Sequence, residues 1–117
     1  MKLSGFKNIL KNEDGVPEVS PLELNQNLET VKIVDVRRPD EYTGELGHIN
    51  GAQLLTLEKD FNERIHDFDK NDCIVFVCRS GARSARATQY AQTLGFKEVY
   101  NMHGGMILWN ELGLPKE

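Results

Sequence analysis

The chain has 117 residues, 39% hydrophobic and 27% charged, with a net charge of −4 and both signs interspersed. This size and balance describe one soluble domain, and the missing basic excess argues against nucleic acid as a partner. Lys7 and Lys11 interrupt the apolar character that a secretory leader needs, and no apolar run reaches membrane-spanning length. A cytoplasmic, membrane-free protein is therefore expected.

Lys11–Gly15 is polar and reads as a loop. Ser20 suits a helix cap, Pro21 the first helical position, and Glu23 a capping-box partner, so a short helix to about Leu28 is predicted. Val31–Val36 is the first clear strand, and its β-branched content suits a sheet interior. Ala52–Leu55 is a weaker strand, followed by a short helix over Leu57–Ile65 with Thr56 as its cap.

Cys73–Val77 is the most apolar segment and reads as a central strand buried on both faces. Ser84–Leu94 reads as a helix whose face carries Ala87, Tyr90, Ala91 and Leu94, with Gly95 as its stop. Glu98–Tyr100 is a short strand, and Met106–Leu112 a last helix. Strands alternate with helices, which favours an α/β domain with a mainly parallel sheet.

The chemistry concentrates in Cys78-Arg79-Ser80-Gly81-Ala82-Arg83-Ser84, between the most apolar strand and a helix. Ligands of parallel sheets bind at the carboxyl ends of strands, and this loop is such an end. Ser80, Gly81 and Ala82 are small enough for a tight curl that turns N–H groups inward as an anion cradle. The following helix N-terminus and Arg79, Arg83 and Arg86 add positive charge. A thiol at the floor of such a cradle is held toward its thiolate, the nucleophilic form.

The bland alternative is that Cys78 is one more buried core thiol, as most lone cysteines are. A core thiol, however, needs no glycine-containing, arginine-flanked turn after it. Arg83 is the expected anion-orienting group, whereas an arginine at a helix start is otherwise a solvated one. Arg79 is expected at the pocket rim. Ser80 and Ser84 are possible donors to the sulfur, and Ser84 is equally a candidate helix cap.

Asp35 is expected to be a structural carboxylate that pairs with an arginine or accepts loop hydrogen bonds. Arg37 and Glu41, four apart, pair with each other or brace a loop. His48 more naturally fixes a turn than moves a proton, His103 is a possible pocket-lining residue, and His66 is expected in solvent. Cys73 lies an odd number of residues from Cys78, on the opposite strand face, and reads as core packing rather than a resolving thiol. None of these residues shows zinc-ligand spacing.

Three stretches together resemble the rhodanese family. They are Asp35-Val36-Arg37 with Glu41-Tyr42, Gly47-His48-Ile49 and Gly51-Ala52; the Cys78–Ser84 loop; and Gly104-Gly105 with Trp109, then Gly113-Leu114-Pro115. They cover residues 18–115, leaving 1–17 as an N-terminal segment. The resemblance implies a rhodanese-like α/β fold, a five-stranded mainly parallel sheet with helices on both faces. It implies a thiosulfate sulfurtransferase in which Cys78 takes sulfane sulfur from a small anionic donor. The sulfur then passes from a Cys78 persulfide to cyanide or to a thiol acceptor, a small thiol or a thioredoxin-like protein. No metal or organic cofactor is implied.

In related cell-cycle phosphatases the cysteine and arginine enclose five residues. Here Cys78 and Arg83 enclose four, a smaller pocket suited to a single sulfur atom. Family members often carry proline at the places held here by Asn50 and Thr56. The competing readings are a persulfide shuttle serving a dedicated partner protein, a cysteine phosphatase or arsenate-reductase-like enzyme, and a non-catalytic binding module.

Overall fold

A computed structural model describes residues 6–117. The reading of Met1–Gly5 as part of a leader-free N-terminus lies outside these residues. Among the described residues six strands form one sheet: β1 (Leu10–Lys11), β2 (Pro17–Val19), β3 (Lys32–Asp35), β4 (Gln53–Leu54), β5 (Cys73–Val77) and β6 (Glu98–Met102), in the order β1-β2-β6-β5-β3-β4. Every pairing is parallel except β1 with β2, which is antiparallel. The sheet therefore has one strand more than the five implied. The extra strand is the short hairpin arm β1, whose turn is held by Asn12 Oδ1 accepting from the Asp14 and Val16 N–H groups.

Among the described residues there are five α-helices, the first four connecting strands and the last following β6: α1 (Pro21–Asn25), α2 (Pro39–Tyr42), α3 (Phe61–Arg64), α4 (Ala82–Thr93) and α5 (Gly105–Glu111). The alternation of β5 sorts its side chains onto two cores. Ile74 and Phe76 join Cys78, Phe61, Ala87 and Ala91 on the α3/α4 face. Val75 and Val77 join Leu24, Met106 and Trp109 on the α1/α5 face. All five β5 residues are buried, as a central parallel strand requires.

Some local expectations are corrected. Ser20 Oγ does accept from the Glu23 N–H at 3.1 Å, but α1 ends at Asn25. The Glu23 carboxylate accepts from the Lys7 and Asn8 N–H groups rather than closing a capping box. Thr56 caps no helix: Asp60 precedes α3, and the Thr56 hydroxyl donates to the Arg37 carbonyl at 2.8 Å. On α4, Ala87 and Ala91 are buried as expected, whereas Tyr90 is exposed. No helix among the described residues is long and apolar enough to cross a membrane.

Candidate active site

Strand β5 runs through the middle of the sheet and delivers Cys78 to its carboxyl end. Gly81 adopts φ +102° immediately before α4, a left-handed conformation that turns the loop back over the cysteine. Three donors converge on Cys78 Sγ: the Gly81 N–H at 3.1 Å, the Ser84 N–H at 3.3 Å and the Ser84 hydroxyl at 3.2 Å. Two backbone amides and a hydroxyl are thus aimed at one sulfur. Ser84 is thus the third residue of α4 with its side chain on the sulfur, not the helix cap; Gly81 occupies that position.

The loop is braced from behind by the segment after β6. The Met106 N–H donates to the Cys78 carbonyl at 2.9 Å and the Ile107 N–H to the Arg79 carbonyl at 3.0 Å. Gly105 sits at φ +62°, and a Cβ there would lie 2.4 Å from the Arg79 oxygen. Only glycine allows so close an approach of the two backbones.

Asp35 and Arg37 form a pair that is almost fully buried. Asp35 Oδ1 accepts from the Arg37 backbone N–H at 3.1 Å and from Nε at 2.9 Å, and Oδ2 accepts from Nη2 at 2.8 Å. Arg37 Nη2 also donates to the Gly47 carbonyl at 2.8 Å. Asp35 is thus a buried carboxylate paired with Arg37. His48 stacks on Tyr42 with ring centroids 3.7 Å apart, and its Nδ1 lies 2.9 Å from the Tyr42 carbonyl. These contacts tie the His48 ring to Tyr42 at the end of α2.

Of the two readings of Arg37 and Glu41, the mutual pair does not form, whereas Arg37 does hold the loop at the Gly47 carbonyl. Helix α2 begins only at Pro39, so the two residues do not share a helical face. Glu41 instead binds Arg83 through two bonds of 2.8 Å each, Nη1 to Oε1 and Nη2 to Oε2. The Arg83 hydrogen bonds hold the Glu41 carboxyl down to a pKa of about 2, well below its ordinary value. The same bond raises Arg83, whose positive charge is further favoured by Cys78 and Asp35 nearby. Arg83, expected to orient the donor, is thus committed to a carboxylate.

The loop is flanked by two clefts. One, of about 480 Å³, has Arg83 and Arg86 in its wall. The other, of about 440 Å³, includes Arg37, Glu41, Leu46, Arg79 and Ile107. Arg79 and Ser80 are exposed at the rim, and Ala82 is exposed at the start of α4. Cys73 is buried, and neither cysteine is in a disulfide. Among the described residues, no cluster of His, Cys, Asp and Glu could hold a metal ion.

Two residues at the site escaped the sequence reading. Asn101 Nδ2 donates to Glu18 Oε2 at 2.6 Å and to the Gly81 carbonyl at 3.1 Å, while Asn101 Oδ1 accepts from the Ser84 hydroxyl. Glu18 is buried, and its Oε1 meets His103 Nδ1 at 3.1 Å. His103 is therefore tied to Glu18 behind the loop, with its side chain 54% exposed. The available signal was parity: Asn101 is a polar residue on the same inward face of β6 as buried Val99.

A central parallel strand ending in a cysteine, a loop whose backbone amides face the sulfur, and the start of a helix define an α/β domain with a buried thiol at the carboxyl end of its sheet. The match to the Rhodanese-like domain model spans residues 20–112, and the chain belongs to that family. The chain is 37% identical over 103 residues to a protein named Sulfurtransferase from Allochromatium vinosum, covering 86% of this chain and 94% of that protein. It is 33% identical over 108 residues to the Putative sulfur carrier protein YrkF of Bacillus subtilis, covering 90% of this chain but only 57% of that longer protein. The fold matches the crystal structure of a rhodanese-like domain protein from Staphylococcus aureus with a TM-score of 0.72 at 31% identity, covering 86% of this chain and 97% of that one. Membership of a sulfurtransferase family follows.

Proposed function

We propose that the protein moves sulfane sulfur from a small anionic donor such as thiosulfate to a thiol or to cyanide, through a persulfide on Cys78. The observation that carries this reading is the convergence of three donors on Cys78 Sγ at 3.1, 3.3 and 3.2 Å. The cradle stabilises the attacking thiolate and, later, the same sulfur as a leaving group. Cys78 is only 1% exposed, at the floor of a loop with four residues between it and Arg83, which favours transfer of one atom over a bulky phosphoryl group.

The Cys78 thiolate attacks the outer sulfur of thiosulfate, and sulfite leaves with the electron pair of the broken S–S bond. An acceptor thiolate then attacks the outer sulfur of the persulfide. The acceptor becomes a persulfide, and Sγ departs as a thiolate. The acceptor is a small thiol or a thioredoxin-like protein, and the chemistry requires neither metal nor organic cofactor. Arg79, exposed at the rim, is the guanidinium best placed to meet the donor, while Ser80, Gly81, Ala82 and Ser84 shape the cradle.

The test is intact-protein mass after incubation with thiosulfate, beside a Cys78→Ser control. A gain of about 32 Da, one sulfur atom, that is reversed by cyanide or a dithiol and absent from the control is expected. Loading by other sulfane donors but not by thiosulfate would make the protein a carrier serving one partner. Loading by no donor would refute the proposal.

A further inference from the structure

Ser84 has one hydroxyl proton and two acceptors. Its Oγ lies 3.2 Å from Cys78 Sγ and is also hydrogen-bonded to Asn101 Oδ1. A hydroxyl donates one hydrogen bond at a time. Asn101 has no freedom to turn its amide over: its NH2 group donates to Glu18 Oε2 at 2.6 Å and to the Gly81 carbonyl at 3.1 Å, so its oxygen must face Ser84. Both Glu18 and Asn101 are buried, at 7% and 1% exposure, so these bonds are not exchanged for water.

We propose that Asn101, held by Glu18, is a positioning residue that competes with Cys78 for the Ser84 proton, so that the hydroxyl turns to the sulfur only when the sulfur is negative. In the persulfide, Sγ is neutral and a weak acceptor, and Ser84 donates to Asn101. When an acceptor thiolate attacks the outer sulfur, its electron pair makes the new S–S bond and the Sγ–S bond breaks with its pair left on Sγ. No oxidant or reductant is consumed. As that charge develops, the hydroxyl rotates from Asn101 to Sγ. The bond therefore forms chiefly in the transition state and product, where it accelerates the step, rather than in the ground state. The catalytic consequence rests on the sulfur-transfer reading above; the competition itself does not.

The charged groups around the Cys78 loop are Arg79 in the loop, Arg83 with its partner Glu41, Arg86 on α4, the Asp35–Arg37 pair beside β3, and Glu18 with His103 behind β6. Asn101→Leu also removes the Asn101 Nδ2 donor from Glu18, so the effect of the hydroxyl is the part of the Asn101→Leu change that disappears when Ser84 is alanine. The experiment follows the ultraviolet absorbance of the thiolate against pH, with Cys78→Ser subtracting Cys73. Ser84→Ala removes a hydrogen bond to a charged sulfur and makes the thiol about tenfold less acidic. Asn101→Leu frees the hydroxyl for the sulfur and makes the thiol about threefold more acidic. The two changes have opposite sign, and in the Ser84→Ala background Asn101→Leu changes nothing.

An ordinary structural role predicts otherwise. Loss of the Gly81 contact would loosen the cradle, lower acidity, and do so in both backgrounds; that result overturns the proposal. A second measurement needs no Asn101 variant. In the unaltered protein, the Asn101 side-chain amide NMR resonances shift with the same midpoint as Cys78, and they cease to shift in Ser84→Ala. Resonances indifferent to Cys78 ionisation overturn the proposal whether or not Asn101→Leu folds. These readouts do not use sulfur transfer. A protein that titrates as described but never gains sulfur keeps the positioning role and loses only the functional reading.

Discussion

The Glu41–Arg83 pair offers a perturbation whose effects on stability and on donor binding have opposite sign. Glu41→Gln keeps one acceptor oxygen but places an NH2 group against the second Arg83 nitrogen, replacing a bidentate pair of two 2.8 Å bonds by one bond and a donor–donor contact. The side chains are 14% and 32% exposed, so solvent screens the pair in part. A stability loss of about 1–2 kcal/mol at neutral pH is expected.

The pH dependence follows from the direction of the shift. The folded carboxyl is held at a pKa of about 2, below its ordinary 4.5. A depressed carboxyl stabilises the fold above its unfolded pKa, and that contribution is lost as pH falls through the folded value. The difference between parent and variant is therefore complete above pH 4.5 and closes toward about pH 2. Thermal unfolding followed across this range measures it.

The same substitution uncovers Arg83 and removes a negative charge from the neighbourhood of the cradle. Both changes favour an anionic donor, so the KM for thiosulfate, read from thiocyanate formation with cyanide as acceptor, is expected to fall about 3–10-fold. An unchanged KM would refute the idea that Glu41 sequesters a donor-binding arginine. A raised KM would mean that Glu41 aims Arg83 at the donor.

Two further expectations concern the scaffold. Arg37→Met leaves Asp35 buried with only the backbone N–H of residue 37 as partner. The cost is about 3–5 kcal/mol, roughly a 10–20 °C fall in melting temperature by calorimetry, largely recovered when Asp35→Leu accompanies it. A fall of only a degree or two would show that the buried pair is not what secures this corner. Gly105→Ala drives a Cβ to 2.4 Å from the Arg79 carbonyl and strains a φ of +62°. The loop must shift, and sulfur loading of Cys78 is expected to slow at least tenfold or so; loading at the parental rate would dissociate loop bracing from reactivity.

What the sequence made legible follows from how local each signal is. The strand Cys73–Val77 matches β5 to the residue because an uninterrupted apolar run flanked by polar residues needs no tertiary information. The cradle was legible for the same reason: cysteine, small residues and helix start are contiguous. Strands β1 and β2 were not, because Leu10–Lys11 and Pro17–Val19 have only two and three residues and carry no period. The Arg37–Glu41 pair failed because spacing implies contact only within one helix, and Arg38 precedes the first turn of α2. Arg83 was visible as a cation but not as a committed one, since its partner lies 42 residues earlier in the chain.

Glu18 and Asn101, which reading along the chain missed, share a physical character with three residues that it named. Glu18, Asn101, Ser84, Asp35 and Arg37 are all buried and polar, and all lie at or just beyond the carboxyl ends of β2, β6, β5 and β3. Among the described residues no buried side-chain nitrogen or oxygen lacks a hydrogen-bond partner. Burying so many polar groups stabilises a fold only when each is satisfied, and otherwise costs more than an apolar core would. Their concentration along one edge of the sheet is therefore not explained by packing, for which the apolar pattern of β5 and α4 suffices. It is explained if that edge must hold one sulfur atom and its donors in fixed geometry through a cycle of charging, loading and release.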